Sequence, residues 1–474
     1  MRVSTSMVFD AGVRTINSQT GKLLHLQQQV ATGRRIVTPA DDPVAAARVL
    51  ELTQASDVVT QFARNRENAQ GALAMEESQL TGVGELVTRV RELAVQGGNG
   101  SLTRENRGAI TAELRARFEE LMGYANARDG DGRYLFSGYM GDTRPFSGSV
   151  ELAAQGGVSY DGDDGQRLLQ VSPSRVIEIS DSGKDIFQRI RNGNGTFVSG
   201  VNADNTVTNT DPSARKTNAG TGVIDGGAVT DPGLWSDPAN TGNYEIRFAT
   251  YKDGVLVPPD GIIPPATTSI YPVAAGDTSV KRYYDIVDVS DPFDPRSVFT
   301  GGTPDTDPTS SSFTHEYKSG QSIALVGPGN LDLGANVIID GDPRTHDAFS
   351  IQPSTTQDLF KTLATLIVDL ESTTSNDAQH ALLANRIGFA LTNLDQAEQN
   401  ILRVRAQVGS RLQEVDSLQA INEDIQIQYQ QAISNLQDLD YAKTISDMTR
   451  KQTDLQAAQQ SFVQVSRLSL FNYL

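Results

Sequence analysis

The stretch LANRIGFALTNLDQAEQNILRVRAQV, residues 383–408, decides the fold. Its apolar residues recur at alternating steps of four and three: Leu383, Ile387, Ala390, Leu394, Ala397, Ile401, Val404 and Val408. Arg411 interrupts the line, which resumes in phase with Val415, Leu418, Ile425, Tyr429, Ala432, Leu436 and Leu439, with Asn422 as its polar member. Two turns of an α-helix bring residue i+7 back over residue i, so this spacing predicts a coiled-coil seam. The 57 residues from 383 to 439 contain no proline. As one helix they would extend roughly 85 Å at 1.5 Å per residue. A buried large apolar side chain contributes roughly 1.5–3 kcal/mol, and each ordered residue costs about 1–2 kcal/mol of backbone entropy. With one seam residue in every three or four, a lone helix of this kind does not stay folded. It needs partners of similar length.

The N-terminal third supplies them. Ala45, Val49, Leu52, Ala55, Val59, Phe62, Ala69, Leu73, Leu80, Val83, Val87, Val90 and Ala94 keep the same phase, interrupted only by Arg66 and Glu76. Asp42-Pro43 announces the start of this helix, an N-cap followed by proline at the first helical position. Gly97-Gly98-Asn99-Gly100 ends it, and Gly82 and Gly84 are expected to loosen its last third. Before it, Phe9, Ile16, Leu23 and Val30 fall seven apart along a shorter helix that Thr32-Gly33 stops. After it, a third helix follows Thr103, carries Ile110, Leu114, Phe118 and Leu121, and is expected to run to Asp129-Gly130-Asp131-Gly132. The polar seam members Arg66, Glu76 and Arg411 are expected at the bundle's edge with their tips in water. Asn422 fits that reading and an internal, register-fixing one equally.

Composition separates the middle from these ends. Residues 141–370 hold 30 acids against 16 bases, 17 of the 19 prolines and 26 of the 42 glycines. Short strand-like runs fill 146–350, among them 157–160, 168–171, 176–179, 244–248 and 323–326. Helix is expected to resume at the capping-box pattern Ser354-Thr355-Thr356-Gln357, with Leu359, Leu363, Leu366, Ile367 and Leu370 on one face. The fold class is therefore α+β, mainly α: a long antiparallel coiled-coil-like bundle made by both chain ends, with a β-rich central excursion. Its expected divisions are 1–40 and 440–474 as terminal helical segments, and 41–145 with 354–439 as the bundle. A β-rich part takes 146–190 and 314–353, and 191–313 forms a variable surface insert.

The net charge of −18 argues against nucleic acid and anionic membranes as partners. No apolar run approaches the ~18 residues of a membrane span. The opening residues lack the apolar core and cleavage site of a secretory signal, so the protein is expected to be cytoplasmic or exported by another route. The chain has no cysteine, which suits a protein that crosses a membrane unfolded. Asp161-Gly162-Asp163-Asp164-Gly165 has the look of a calcium loop, but Ser172 stands where a bidentate glutamate belongs, and a hairpin turn is expected instead. Gly97–Ser101 lacks a phosphate-loop lysine. His315-Glu316 lacks the second histidine of a zinc-protease helix, and His25, His315, His346 and His380 are scattered. No catalytic group, metal set or cofactor site is predicted.

Three groups of residues then carry a resemblance. Thr32-Gly33-Arg34-Arg35-Ile36 with Asp41-Asp42-Pro43 resembles the turn between the first two helices of flagellin-like proteins. Gly132-Arg133-Tyr134-Leu135-Phe136-Ser137-Gly138 is similar to the segment closing their N-terminal helical domain. Leu439-Asp440-Tyr441-Ala442 and Arg467-Leu468-Ser469-Leu470-Phe471-Asn472-Tyr473-Leu474 resemble their C-terminal helix. The proline after the paired aspartates, Arg133-Tyr134 before Leu135-Phe136 and the Leu-Phe-Asn-Tyr-Leu ending favour the hook-associated branch over flagellin itself. The family positions are Gly33, Arg34, Asp41, Asp42, Pro43, Gly132, Arg133, Leu135, Phe136 and Gly138.

The resemblance implies a non-enzymatic structural protein of the extracellular flagellum, exported through the flagellar type III channel. It implies a helical ring of this chain with itself, placed between the first hook-associated protein and flagellin, whose assembly it templates. Its assembly residues would be Phe9, Ile16, Leu23, Val30, Ile445, Met448, Leu455, Phe462, Val465, Leu468 and Phe471. An export chaperone would bind the C-terminal helix at Leu455, Ala458, Phe462 and Val465. The rivals are a flagellin filament subunit and, from another class, an exported coiled-coil adhesin or effector.

Overall fold

A computed structural model describes residues 5–201, 218, 220–238, 240, 242–253, 255–257, 279–291, 294–301, 313–372 and 376–467. The helices are α1 (Thr5–Thr32), α2 (Pro43–Gly97), α3 (Arg104–Ala125), α4 (Val150–Gly156), α5 (Gly183–Phe187), α6 (Pro232–Trp235), α7 (Leu359–Ser372), α8 (Asp377–Gln437) and α9 (Tyr441–Arg467). They belong to two compact units. One comprises Met1–Gln70, Leu169–Ile177 and Gln413–Leu474, and the other Gly71–Leu168 and Glu178–Leu412.

In the first unit the expected punctuation holds. α1 stops at Thr32, and Gly33 follows with φ +69°, the left-handed turn that favours glycine. Asp42 caps α2, its Oδ1 accepting from the Ala45 N–H at 3.0 Å. α8 ends at Gln437, two residues short of Leu439, the last expected seam position. Asp440 then caps α9, its Oδ1 accepting from the Lys443 N–H at 3.1 Å. α2 and α8 run antiparallel here: Ser56 meets Gln426 at 2.9 Å, and Gln70 meets Asp416 at 3.2 Å. Their seam is mixed. Ala45 and Val415 are buried, while Leu52, Val59, Leu418, Ile425, Tyr429 and Leu436 are only half-buried.

In the second unit the seam is dry. Leu73, Leu80, Val83, Val87, Val90 and Ala94 of α2 are buried, as is every predicted position of α8 from Leu383 to Val408. Arg91–Asp395 at 3.0 Å and Glu77–Arg405 at 2.7 Å flank it and fix the antiparallel direction. Thr103 caps α3 as expected, but the helix stops at Ala125, not at Asp129. Asn126 ends it by donating Nδ2 to the Met122 carbonyl and to that of Phe146. The Asp129–Gly132 stretch is a separate tight turn, with Asp129 Oδ1 accepting from the N–H groups of Asp131 and Arg133. Gly82 is explained by packing: a Cβ there would lie 2.7 Å from the Tyr124 ring.

Three further expectations change. α7 starts at Leu359, because Asp358 and not Ser354 supplies the cap, accepting from the Phe360 N–H at 2.7 Å. Ser354 and Thr355 instead bind the carbonyl and side chain of Asn192. Asp161–Gly165 is not a hairpin turn. The strand before it, Ser159–Tyr160, pairs with Phe146–Ser147, and the strand after it, Leu168–Ser172, pairs with Arg175–Glu178. The third change concerns the insert. In one antiparallel sheet, Ala348–Pro353 lies between Phe197–Val201 and Tyr244–Lys252, which pairs in turn with Val280–Asp288. A second sheet joins Ser322–Gly327, Leu331–Asp340 and Val223–Ile224. Phe197, Ile246, Phe248, Ile286, Leu325, Val337 and Phe349 share one core. Strands Phe197–Val201 and Tyr244–Lys252 thus interleave with Ala348–Pro353, whereas the sequence placed them on opposite sides of a division at 313.

The family segment 132–138 is the joint of this unit. Leu135 and Phe136 are buried, and the Phe136 ring sits 5.6 Å from Phe187, edge to face. Gly138 has φ +69°, and a Cβ would fall 2.0 Å from Asp163 Oδ1 and 2.5 Å from its carbonyl. That carboxylate also takes the N–H groups of Tyr139 and Gly165 at 2.9 and 2.7 Å. Gly138→Ala is expected to cost about 2 kcal/mol of unfolding free energy, from left-handed strain with a displaced backbone. Denaturant unfolding checks it.

Candidate assembly interface

The two chain ends meet in the first unit. The turn after α1 docks on the break between α8 and α9: the Leu439 N–H donates to the Gly33 carbonyl at 3.0 Å, and the Arg35 N–H to the Gln437 carbonyl at 2.7 Å. Arg34 and Asp438 form a β-bridge, and Arg35 Nη2 reaches the Leu436 carbonyl at 2.7 Å. Tyr441 lies over Gly33, where a Cβ would come within 2.9 Å of its hydroxyl. Asp41 braces the turn from inside, accepting from the N–H groups of Val37 and Thr38 at 3.0 and 2.8 Å and pairing with His25 at 2.7 Å. The Thr38 and Val37 bonds, with the His25 ring, hold its carboxyl below the usual range against the opposing effect of burial. Gly33, Arg34, Asp41, Asp42 and Pro43 therefore form one piece of architecture, a paired reversal point for both ends.

Beyond that point α1 packs on α9. The rings of Phe9 and Phe462 are 5.0 Å apart, and Phe462 covers Gly12, whose Cβ would lie 2.6 Å from it. Ile16, Leu23 and Val30 are half-buried, as are Met448, Leu455, Ala458 and Phe462. Phe9 remains 51% exposed despite its contact. Ile445 points away and is 46% exposed, while its neighbour Thr444 is buried. Thr444, Met448, Lys451, Leu455, Ala458 and Phe462 form the real line, one residue out of step with Ile445. The Val465 side chain, Leu468 and Phe471 lie outside the described residues.

The polar seam residues are not at an edge. Arg66 is 1% exposed and Glu76 2% exposed, and Arg411 is mostly enclosed. Arg66 ties three segments of the first unit together: Nη1 donates to the Val171 carbonyl at 2.8 Å and Nε to Gln419 at 3.0 Å. Asn422, with its amide oxygen turned to the guanidinium, accepts from both terminal nitrogens. The internal reading of Asn422 is the one the geometry supports. In the second unit Arg411 binds Glu178 at 2.6 Å and Asp181 at 2.8 Å. Burying a guanidinium is tolerable only with partners of this kind. The sequence signal was their exact phase in an apolar line, where a solvent-facing residue has no reason to fall.

The second unit also has a cavity of about 450 Å³ between strand Phe197–Val201, α7 and α8, lined by Val198, Leu366, Phe389 and Asn393 among others. Among the described residues no group of three or more His, Asp or Glu could hold a metal ion, and no helix is long and apolar enough to cross a membrane.

Residues 3–140 match the bacterial flagellin N-terminal helical region, and 391–474 match the C-terminal helical region. Both ends of the chain are thus similar to the helical regions of bacterial flagellin. It is 34% identical over 190 residues to flagellar hook-associated protein 3 of Salmonella typhimurium, covering 40% of this chain and 58% of that protein. The Escherichia coli protein of the same name is 31% identical over 218 residues, covering 46% and 63%. The chain thus spans about three fifths of the length of these curated relatives. Phase 2 flagellin of Salmonella typhimurium is more distant, 24% identical over 318 residues, 62% of this chain and 60% of that one. Among solved structures, FlgL of Xanthomonas campestris superposes with a TM-score of 0.59 at 27% identity, covering 81% of this chain and 99% of that one.

Proposed function

We propose that this protein is a structural subunit of the bacterial flagellum, forming the junction between hook and filament and templating flagellin assembly. The observation that carries the reading is the pairing of α1 with α9 in the two regions that match flagellin helices. Its greater likeness to hook-associated relatives than to flagellins supports the junction over the filament. The partners are further copies of this chain in a helical ring, the first hook-associated protein on one side and flagellin on the other. Successive copies meet through different surfaces, which builds a helical arrangement instead of a closed pair. Phe9, Ile16, Leu23, Val30, Met448, Leu455 and Phe462 carry the pairing, with Ile445 left outward for a neighbouring copy. The protein leaves the cell through the flagellar export channel. The export chaperone binds α9 at Leu455, Ala458, Phe462 and Val465, so it competes with α1 for Phe462.

Deletion of the gene, followed by electron microscopy, tests this function. The expected outcome is hooks without filaments and flagellin in the medium. Normal filaments would overturn it, and filaments grown by the purified protein alone would assign it to flagellin's role.

A further inference from the structure

Glu76 takes a seam position of α2 in the second unit where its neighbours in phase are apolar. Its Oε1 accepts from the Asp181 N–H at 3.2 Å. Its Oε2 is buried and has no hydrogen-bond partner among the described residues. Of the two cations that act on it, Arg411 is committed elsewhere, to Asp181 at 2.8 and 3.2 Å and to Glu178 at 2.6 Å. Arg167 is turned to Asp129 at 3.4 Å and to Ser180. Asp181 receives a further bond from Gln166 at 2.7 Å. The charged groups around Glu76 are therefore Asp181 and Glu178 from the 178–182 segment, Arg411 from α8, and the Arg167–Asp129 pair.

We propose that Glu76 is a proton-binding site, a carboxylic acid held neutral inside the protein, whose ionisation loosens the hold of α2 on residues 178–182. Ionised, it would set two buried carboxylates, Glu76 and Asp181, and the half-exposed Glu178 around one guanidinium, leaving a buried oxygen without a donor. A buried charge without a partner is the costliest way to fill that space. The proton belongs on Glu76, because the Asp181 carboxylate has Arg411 and Gln166 as donors whereas that of Glu76 has one backbone N–H. Burial and the Asp181 charge push the Glu76 carboxyl up to about 8, against the opposing pull of Arg411.

Ionisation gives the proton to solvent, so the carboxylate must gain water, which requires 178–182 to move off α2. An exposed glutamate ionises near pH 4.3. Between that value and about 8 the closed form binds the extra proton. The equilibrium constant for closure therefore falls up to about tenfold per pH unit across this window and is flat above it.

The test is a site-resolved carboxyl titration of the folded chain by NMR, with hydrogen exchange at residues 178–182 followed against pH. Glu76 is expected to titrate well above an ordinary glutamate. Glu76→Gln keeps the acceptor for the Asp181 N–H, and in it the opening of 178–182, corrected for intrinsic exchange, is expected to lose its rise through this window. Glu76 titrating near pH 4, the proton found on Asp181 instead, or parallel exchange profiles in the two proteins would overturn the proposal.

Discussion

Phe360→Ala is expected to lower unfolding free energy by about 3–5 kcal/mol, the usual cost of emptying a phenylalanine site in a packed core. Phe360 is fully buried at the start of α7. Its ring lies 5.4 Å from Phe146, 5.8 Å from Phe187 and 6.0 Å from Phe118. These neighbours come from different parts of the chain, so no single segment can collapse into the vacated space. Offset and edge-on ring pairs add about 0.5–1.5 kcal/mol each beyond area burial. Phe360→Leu should recover more than half of the loss. Chemical denaturation monitored by circular dichroism reads both, and a cost under about 1 kcal/mol would mean that this ring cluster does not hold the joint.

Arg66 should behave in the opposite manner to an apolar site. Arg66→Ala is expected to cost about 3–5 kcal/mol, because it strands the Val171 carbonyl, Gln419 and Asn422 without their donor. Arg66→Met with Asn422→Leu removes the guanidinium and one of its two side-chain partners while keeping the volume, with Gln419 and the Val171 carbonyl left in place. That pair should recover part of the stability, since a buried ionic group is commonly replaceable by well-packed apolar residues. If both variants fall equally, the hydrogen bonds of Arg66, and not the space it fills, hold the site. If neither falls, its contacts with the 169–177 hairpin and α8 are not needed in solution.

The helices were legible because their information is local. Seven-residue phase, Asp42-Pro43, Thr103 and Gly33 each act within one or two turns, so α1, α2, α3 and α8 begin and end within a few residues of expectation. The strands were placed for the same reason. Their pairing was not, because Ala348–Pro353 finds Phe197–Val201 and Tyr244–Lys252 across about a hundred residues or more of sequence, and alternation within a run says nothing of its neighbour. The α7 cap failed because Ser354 and Asp358 are both good cap residues four apart, and tertiary bonds to Asn192 claim the first. Arg66 and Glu76 were misplaced because phase locates a residue on a helix face but not the hairpin or loop that covers it. On α9 the break at 438–440 resets the phase, which moved the buried position from Ile445 to Thr444.

Of the candidate interface, Phe9, Leu23, Leu455 and Phe462 were readable as apolar lines with no partner in view. That the two lines face each other is a tertiary fact. It gives the family positions Gly33, Arg34, Asp41 and Asp42 a physical role as the point where both ends turn together. The most direct measurement replaces the chromosomal gene with one lacking the codons for 441–474 and images the flagella. The expected result is hooks without filaments, with flagellin shed, because α1 has lost the helix it pairs with. Filaments of normal length on these cells would contradict the account.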